Sequence, residues 1–229
     1  MADAELEALG AGAGEAAAPR TPTQDLLLYL LKIHDAAALR RELSQSVMRD
    51  GVQRFVAGTA APLVDMVGSA WARGEIQVFE EHLFTEQLQS VLRQAISQLG
   101  APPGPPRVLL TTLPGEQHAL GLLMAEAMAG LEGAACLSLG TQTPVHEIVA
   151  AARANRADVV ALSASASAPQ AALRESLAVL RAQLPEGTAL WCGGAGAGAL
   201  KRPPAGVRRI DSLAGVGEEI AAWRAQRNH

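Results

Sequence analysis

Five short apolar runs alternate with segments of helical patterning in the second half of this chain. The apolar runs lie near residues 107–112, 134–139, 158–163, 188–192 and 207–211. The helical segments lie near residues 118–131, 144–154, 170–183, 194–201 and 213–226. Strands and helices in this alternation are typical of a parallel sheet with helices on both faces. We therefore predict an α/β domain with a five-stranded parallel sheet over residues 107–229.

The residues from 23 to 99 have helical patterning instead. Asp35 stands where it can cap a helix, and Leu63, Met66 and Val67 recur at helical spacing. The connections between the helical segments are short, which favours antiparallel neighbours. We predict a small four-helix bundle that precedes the sheet domain.

Two segments flank this bundle. Residues 100–106 contain four prolines, which make a stiff, extended linker between the two domains. Residues 1–22 are rich in Ala, Gly, Glu and Pro, with Leu6 and Leu9 as their large aliphatic side chains. Such a composition buries too little apolar surface to offset the chain entropy lost on folding, so we expect this segment to be disordered.

The overall composition argues against several classes of protein. A net charge of −4 does not favour a nucleic-acid-binding surface, so we expect no direct DNA binding. Cys136 and Cys192 both lie in apolar runs and are interpreted as buried hydrophobic residues rather than a disulfide or a metal pair. No apolar stretch reaches the roughly 18 residues of a membrane span, and the N-terminus lacks the pattern of a signal peptide. We expect a cytoplasmic protein with no membrane partner.

One polar loop follows the first apolar run. Pro114 and Gly115 end the strand, and His118 lies just before the next helix. In open α/β sheets, ligands bind outside the carboxyl ends of the strands, where this loop stands. Glu116 is two residues before His118, where its carboxylate can fix the tautomer of a metal-ligating imidazole. Without other evidence, a lone loop histidine of no special function explains His118 equally well.

Small residues follow two later runs. Ser163 and Ser165 come after the third run, and Gly193 and Gly194 come after the fourth. The carboxyl ends of parallel strands lie at one edge, so these residues are expected near the His118 loop. The glycines have an ordinary alternative as a flexible strand-to-helix loop. No G-x-G-x-x-G follows the first run, so a dinucleotide site is not favoured.

The helical half carries a second group of polar and aromatic residues. Trp71 is followed ten residues later by Glu81 and His82. Across one turn between helices, these side chains can face the same side of a bundle. The ordinary alternative places Trp71 in the core and Glu81 and His82 on a solvated face.

Taken together, the Glu116–His118 loop, the serines and the paired glycines resemble the cobalamin (vitamin B12) binding domain. The loop of that family reads Asp-x-His-x-x-Gly, and Glu116 replaces its aspartate here. The resemblance implies a flavodoxin-like (Rossmann-type) sheet and a cobalamin whose cobalt is ligated from the lower face by His118. It places Gln117 and Gly121 in the same cofactor-binding loop. The nucleotide tail of the cofactor is then expected beside Ser163, Ser165, Gly193 and Gly194.

Over roughly residues 35 to 226 the chain resembles, more narrowly, the CarH-type B12-dependent photoreceptors. The spacing Trp-x9-Glu-His is similar to their motif for the upper face of adenosylcobalamin. It implies that Trp71 packs on the 5′-deoxyadenosyl group, that Glu81 hydrogen-bonds that group and that His82 stands beside them. The bundle would then act as a cap on the cofactor.

Three features depart from the CarH-type pattern. Ser165 occupies the position at which the family's serine motif usually has leucine. Ala72 follows Trp71 where the CarH type has a histidine that captures cobalt after photolysis, and alanine cannot ligate a metal. His82 or water is therefore the candidate ligand after illumination. We also expect no DNA-reading helix-turn-helix domain, since residues 1–34 are short and not strongly basic.

These resemblances lead us to expect a stand-alone adenosylcobalamin-binding light sensor rather than an enzyme. Photocobilins, which are similar stand-alone proteins, hold a bilin such as biliverdin beside the cobalamin. Since no cysteine lies in a suitable loop, any bilin here would be non-covalent. We expect a homo-oligomer such as a dimer, and an unidentified protein output partner. The alternative is a corrinoid carrier that shuttles methyl groups to a methyltransferase.

Overall fold

The computed structural model describes residues 21–100 and 104–227. Most of the predicted disordered segment, residues 1–22, lies outside the described residues. Its last two residues are ordered, because the Thr21 hydroxyl accepts a hydrogen bond from the backbone N–H of Gln24 at 3.3 Å. The Gln24 side chain in turn accepts one from the backbone N–H of Thr21 at 2.9 Å, which completes a capping box at the start of the first helix.

The N-terminal half is a helical bundle, as predicted. Its helices are α1 (Pro22–Lys32), α2 (Ala36–Phe55), α3 (Ala61–Ala72) and α4 (Val78–Ser97), and a π-helical turn, Val56–Ala60, joins α2 to α3. The predicted cap is confirmed, since Asp35 accepts a hydrogen bond from the backbone N–H of Ala38 at 2.9 Å. Gly51, at φ 75°, puts a kink in α2.

One continuous helical stretch, Ala36–Ala72, is long and apolar enough by length and composition to cross a membrane. This stretch comprises α2, the π-helical turn and α3, so it is not a single straight helix. Leu39, Leu43 and Phe55 from it are fully buried in the core of the bundle. We therefore assign it as core helices of the bundle.

The C-terminal half is the predicted α/β domain. Its strands are β1 (Gly104–Thr111), β2 (Ala134–Ser138), β3 (Val159–Ser163), β4 (Ala189–Gly193) and β5 (Val207–Ile210). Its helices are α5 (Leu120–Leu131), α6 (Val145–Ala154), α7 (Gln170–Gln183), α8 (Ala195–Ala199) and α9 (Leu213–Arg227). All paired strands are parallel, and the strand order is β2-β1-β3-β4-β5. This is the flavodoxin-like order, in which the chain reverses direction across the sheet between β1 and β3.

The first strand starts earlier than predicted. Gly104 pairs with Ala134 of β2, and its backbone N–H donates to the carbonyl of Gly133 at 2.8 Å. The predicted linker, residues 100–106, is therefore too long by residues 104–106. The prolines misled the prediction, but they are tolerated because they stand at the start of β1, where the register with β2 is irregular between Gly104 and Arg107 and pairing with β3 has not yet begun.

The bundle and the sheet domain share one apolar core. Leu88 and Leu92 of α4 and Leu123 of α5 belong to a single buried cluster that also reaches β1. The chain just after α4 also lies close to α5, since a Cβ built on Gly130 would lie 2.7 Å from a methyl carbon of Leu99. Each fully buried leucine stabilises such a contact by roughly 1.5–3 kcal/mol. The bundle is thus packed on the helix that directly follows the His118 loop.

Candidate functional site

The strand order places the loops that follow β1 and β3 side by side. In a parallel sheet of this order, the crevice outside the carboxyl ends of the strands at the reversal point is where ligands bind. The loop after β1 runs through residues 112–119 to the start of α5, and the serine stretch, residues 163–167, begins at the last residue of β3. The predicted lower-face residues therefore lie at one edge of the sheet.

A hydrogen-bonded group links these two loops. The Nδ1 atom of His118 lies 2.5 Å from Oε1 of Glu116, which also accepts the backbone N–H of His118 at 3.0 Å. The second oxygen, Oε2, accepts both the backbone N–H and the hydroxyl of Ser165, each at 2.7 Å. The carboxylate side chain is 8% exposed, whereas the imidazole is 65% exposed. Glu116 is thus a buried anchor that presents an accessible histidine.

The charge state of Glu116 follows from its partners. Burial by itself raises the pKa of this carboxyl, but hydrogen bonds from Ser165 and His118 outweigh it and leave the pKa below its usual value. An ionised carboxylate only accepts hydrogen bonds, so the Nδ1 atom of His118 carries the hydrogen between them. In the neutral imidazole this tautomer leaves the lone pair on Nε2, the atom with which a histidine held in this way ligates a metal.

Thr112 anchors the loop that follows β1, a role that the sequence analysis did not predict. Its hydroxyl donates to the carbonyl of Glu116 at 2.7 Å and accepts the backbone N–H of Gln142 at 2.8 Å. Thr112 is fully buried. A polar residue at the end of the apolar run 107–112 is the signal from which this role could have been predicted.

Two of the three glycines among the predicted site residues are required by the close packing of the loops. Gly121 was expected in the cofactor-binding loop, and a Cβ there would lie 2.7 Å from the hydroxyl oxygen of Ser163, within the protein itself. Gly194 has φ 91°, and a Cβ on it would collide with the carbonyl oxygen of Ala164. For Gly193 the nearest atoms, in Ile210, lie at an ordinary 3.5 Å. Gly121 and Gly194 therefore allow the loops to pack tightly against the serine stretch.

Gln170 contributes a further polar atom beside the glycine loop. Its Nε2 donates to the carbonyls of Gly196 at 3.1 Å and Ala168 at 3.4 Å. Among the buried side-chain oxygens and nitrogens of the described residues, its Oε1 is the one without a hydrogen-bond partner. A ligand with an N–H or O–H group in this region would satisfy that acceptor, which fits a polar cofactor tail.

The predicted upper-face residues lie on the bundle. Trp71 is in the last turn of α3 and is 50% exposed, so the alternative of a core tryptophan is wrong. Glu81 is in the first turn of α4, where its two oxygens lie 2.7 Å from Nδ1 of His82 and 2.7 Å from the hydroxyl of Thr85. The turn between the helices places Trp71 and Glu81 at the same end of the bundle.

Some predicted residues are not brought together. Within residues 21–100 and 104–227, no hydrogen bond or ion pair joins the group formed by Trp71, Glu81 and His82 to the group around His118. Gln117 is exposed beside His118 and has no hydrogen bond in the described structure. The described residues also contain no cluster of three or more His, Cys, Asp or Glu side chains that could hold a bare metal ion. His118 instead offers a single nitrogen, as an axial ligand does.

Two cavities lie elsewhere on the sheet domain. One, of about 500 Å³, is lined by Arg208 and Ser212 near β5, and another, of about 580 Å³, is lined by Arg181 and Trp223. Neither is lined by a predicted site residue. The hydrogen-bonded loops at the carboxyl edge carry the chemistry, so we place the site there.

Comparisons with known proteins point to the same class of cofactor. The family models described as B12 binding domain match residues 106–220 and residues 24–96. The HTH-type transcriptional repressor CarH of Myxococcus xanthus is 30% identical over 199 residues, which cover 86% of this chain and 66% of that protein. The monomethylamine corrinoid protein of Methanosarcina barkeri superposes with a TM-score of 0.69 at 15% identity, covering 89% of this chain and 98% of that one.

Proposed function

Because this chain belongs to the B12-binding-domain family, we propose that it is a light sensor that holds adenosylcobalamin between its bundle and its sheet domain. Family membership establishes the corrinoid cofactor. The adenosyl form, the response to light and the output belong to the proposal. We further propose that the protein signals without catalysing a reaction.

The lower loop fits the role of an axial ligand. Glu116 holds Nδ1 of His118, so Nε2 is the atom left to ligate cobalt. Ser165 fixes the carboxylate from the neighbouring strand end. The loop therefore orients the imidazole before any ligand arrives.

The observation that carries the proposal is the half-exposed indole of Trp71 at the same end of the bundle as the carboxylate of Glu81. An adenosyl group offers an aromatic base and sugar hydroxyls, which suit an indole surface and a carboxylate acceptor. A methyl group offers neither. When bound, adenosylcobalamin supplies a cobalt–carbon bond that visible light breaks.

Loss of the adenosyl group would remove the contacts that it makes with Trp71 and Glu81. A ligand shifts a conformational equilibrium only by its different affinity for the two states, so these contacts set the size of the response. We propose that the response alters self-association, with a homodimer as the simplest assembly, or the surface offered to a protein output partner.

The test compares assembly in darkness and after green light, because free adenosylcobalamin also bleaches and a spectrum alone does not identify a sensor. Light scattering of the loaded protein should give a different mass, or a different elution volume, after illumination. Trp71→Ala, loaded with enough adenosylcobalamin to offset its weaker binding, should bleach but lose most of that shift. An identical mass and an identical elution volume in darkness and after illumination would count against the sensor.

The methyl-carrier alternative has the same fold. The corrinoid protein of Methanosarcina barkeri shares that fold, but at 15% identity the likeness does not extend to function. A carrier should bind methylcobalamin and adenosylcobalamin about equally and should transfer the methyl group to a partner methyltransferase. A clear preference for the adenosyl form would exclude this alternative.

A bilin as second chromophore would have to bind without a covalent bond. Burial raises the pKa of Cys192 to about 12, and burial together with the charge of Glu126 raises the pKa of Cys136 to about 12. Both thiols therefore stay protonated and unreactive near neutral pH. A red-absorbing band after incubation with biliverdin, lost on denaturation in acid, would reveal a non-covalent bilin.

A further inference from the structure

Glu80, which directly precedes Glu81 of the predicted upper-face group, has a buried carboxylate. Glu80 is 4% exposed, although it stands between Phe79, which is exposed, and Glu81. Consecutive residues of a helix point about 100° apart, so Glu80 faces inward while Glu81 is turned toward the surface. A buried charge is costly unless it is well paired, so its partners indicate what it does.

Those partners come from two different helix ends of the bundle. Oε2 of Glu80 accepts the Nζ of Lys32 at 3.1 Å and the backbone N–H of Gln77 at 2.7 Å. Oε1 lies 3.2 Å from Nε2 of His34. Lys32 ends α1, and His34 follows it in a left-handed turn with φ 60°. One carboxylate therefore joins the end of α1 to the start of α4.

The same lysine also holds the segment between α3 and α4. Its Nζ donates to the carbonyl of Glu75 at 2.5 Å. This segment, residues 73–77, directly follows the last turn of α3, where the carbonyl of Trp71 accepts the backbone N–H of Gly74 at 2.9 Å, and it is anchored by Ile76 in the apolar core. Because Trp71 and Glu81 flank the segment, its position sets their relative placement.

We propose that Glu80, held by Lys32 and His34, is a positioning residue that fixes Trp71 and Glu81 as one recognition surface for the upper ligand. This inference rests on the proposed adenosylcobalamin function. The cluster touches no expected part of the cofactor itself. An ordinary buried ion pair would affect all corrinoids alike, because it would act on the stability of the bundle only.

The test measures the dissociation constants for adenosylcobalamin and methylcobalamin in darkness, by absorbance titration of the full chain. Glu80→Gln keeps the shape of the side chain but removes its charge. Lys32→Met removes the amine and leaves Glu80 its bonds to Gln77 and His34, so it serves if Glu80→Gln does not fold. Lys32→Arg restores the charge, and Glu86→Gln makes the same chemical change as Glu80→Gln at an exposed position of α4.

We expect the ratio of the dissociation constants for methylcobalamin and adenosylcobalamin to fall about tenfold in Glu80→Gln and Lys32→Met, because a small misplacement of recognition groups is costly. The affinity of both variants for methylcobalamin should change by less than about twofold, and the spectrum of the histidine-ligated form should stay the same. Both affinities of Glu86→Gln should also change by less than about twofold. Lys32→Arg should recover most of the preference.

Two outcomes would overturn the inference. If the wild-type protein prefers the adenosyl form and both variants keep that preference, or weaken both cofactors equally, the cluster is only structural. If the wild-type protein shows no preference, the proposed function fails, and the inference fails with it.

Discussion

The backbone N–H and the hydroxyl of Ser165 converge on one oxygen of Glu116, each at 2.7 Å. Ser165 follows β3 and Glu116 follows β1, so this contact bridges the crevice at the reversal point of the sheet. It gives a role to a serine that stands where a leucine was expected from the resemblance. Two donors on one carboxylate oxygen leave the other oxygen for His118.

We expect Ser165→Ala to lower corrinoid affinity by about tenfold, since partners of a metal ligand typically affect affinity by that much. The backbone N–H still holds Glu116, so binding should be weakened rather than lost. Absorbance titration with hydroxocobalamin measures the effect. Ser167→Ala is the matched control, because the Ser167 hydroxyl bonds to that of Ser165 at 2.8 Å and not to Glu116. Equal losses in both variants would contradict the assignment.

His118→Ala should lower corrinoid affinity by about a hundredfold, because the variant loses the ligand itself rather than a supporting group. The absorption spectrum of any residual complex should lack the features of a nitrogen ligand on the lower face. His146→Ala is the control, since His146 is another exposed histidine paired with a glutamate, Glu147 at 3.4 Å. An unchanged spectrum for His118→Ala would place the ligand elsewhere.

Trp71→Ala should weaken adenosylcobalamin more than methylcobalamin. An indole that covers about 100 Å² of apolar ligand surface contributes roughly 2.5 kcal/mol, or about a hundredfold in affinity. A methyl group offers almost no such surface, so its binding should change little. Tyr29→Ala removes another exposed aromatic side chain of the bundle and should leave both affinities unchanged. Parallel losses for both cofactors in Trp71→Ala would favour the methyl-carrier alternative.

Acid should destabilise the sheet domain through Asp158. Its carboxylate accepts the backbone N–H of Arg107 at 2.8 Å and lies 3.2 Å from Nη1 of Arg227. Burial alone raises the pKa of Asp158, but the bonds and charges of Arg107 and Arg227 outweigh it and lower the pKa. The stabilisation is therefore present above the unfolded-state pKa of about 3.9 and is lost as the pH falls through the lower folded-state pKa.

Urea unfolding of the wild-type protein and Asp158→Asn between pH 7 and pH 3 should show this difference, with the variant losing less stability in acid. Asp65 provides a control of opposite sign, because burial raises its pKa. Asp65→Asn should therefore gain stability at pH 7 relative to the wild-type protein, and the gain should fade in acid. A common response of both variants would show that neither carboxylate governs the acid limb.

The sequence analysis predicted the architecture because alternating apolar runs leave few ways to bury their faces. The alternation alone does not give the strand order, which depends on contacts between distant segments, and the flavodoxin-like order was predicted only through the resemblance to the cobalamin-binding domain. The sequence analysis placed β1 at residue 107, and it extended α8 to 194–201 although the helix covers only Ala195–Ala199. Local patterns define the ends of short elements poorly, particularly in runs of proline or glycine.

The site was predicted in part for a similar reason. Glu116 and His118 are two residues apart, so their contact is readable from the chain. The contact of Glu116 with Ser165 spans 49 residues, and the contacts of Glu80 with Lys32 and His34 span 48 and 46. Side chains so far apart meet only because of the fold. The sequence analysis expected Ser165 near the His118 loop but not its bonds to Glu116, and no local pattern marked Lys32 or His34 as partners of Glu80.

The shared core of the bundle and the sheet domain limits how these two parts can be separated. Cutting the chain after the bundle would leave Leu123 and Ala127 of α5, both buried in the intact protein, facing water. Either fragment alone would expose a contiguous apolar face of the kind that drives aggregation. A protein engineer who wished to move this cap onto another receptor would have to transplant α5 with it, as one cassette.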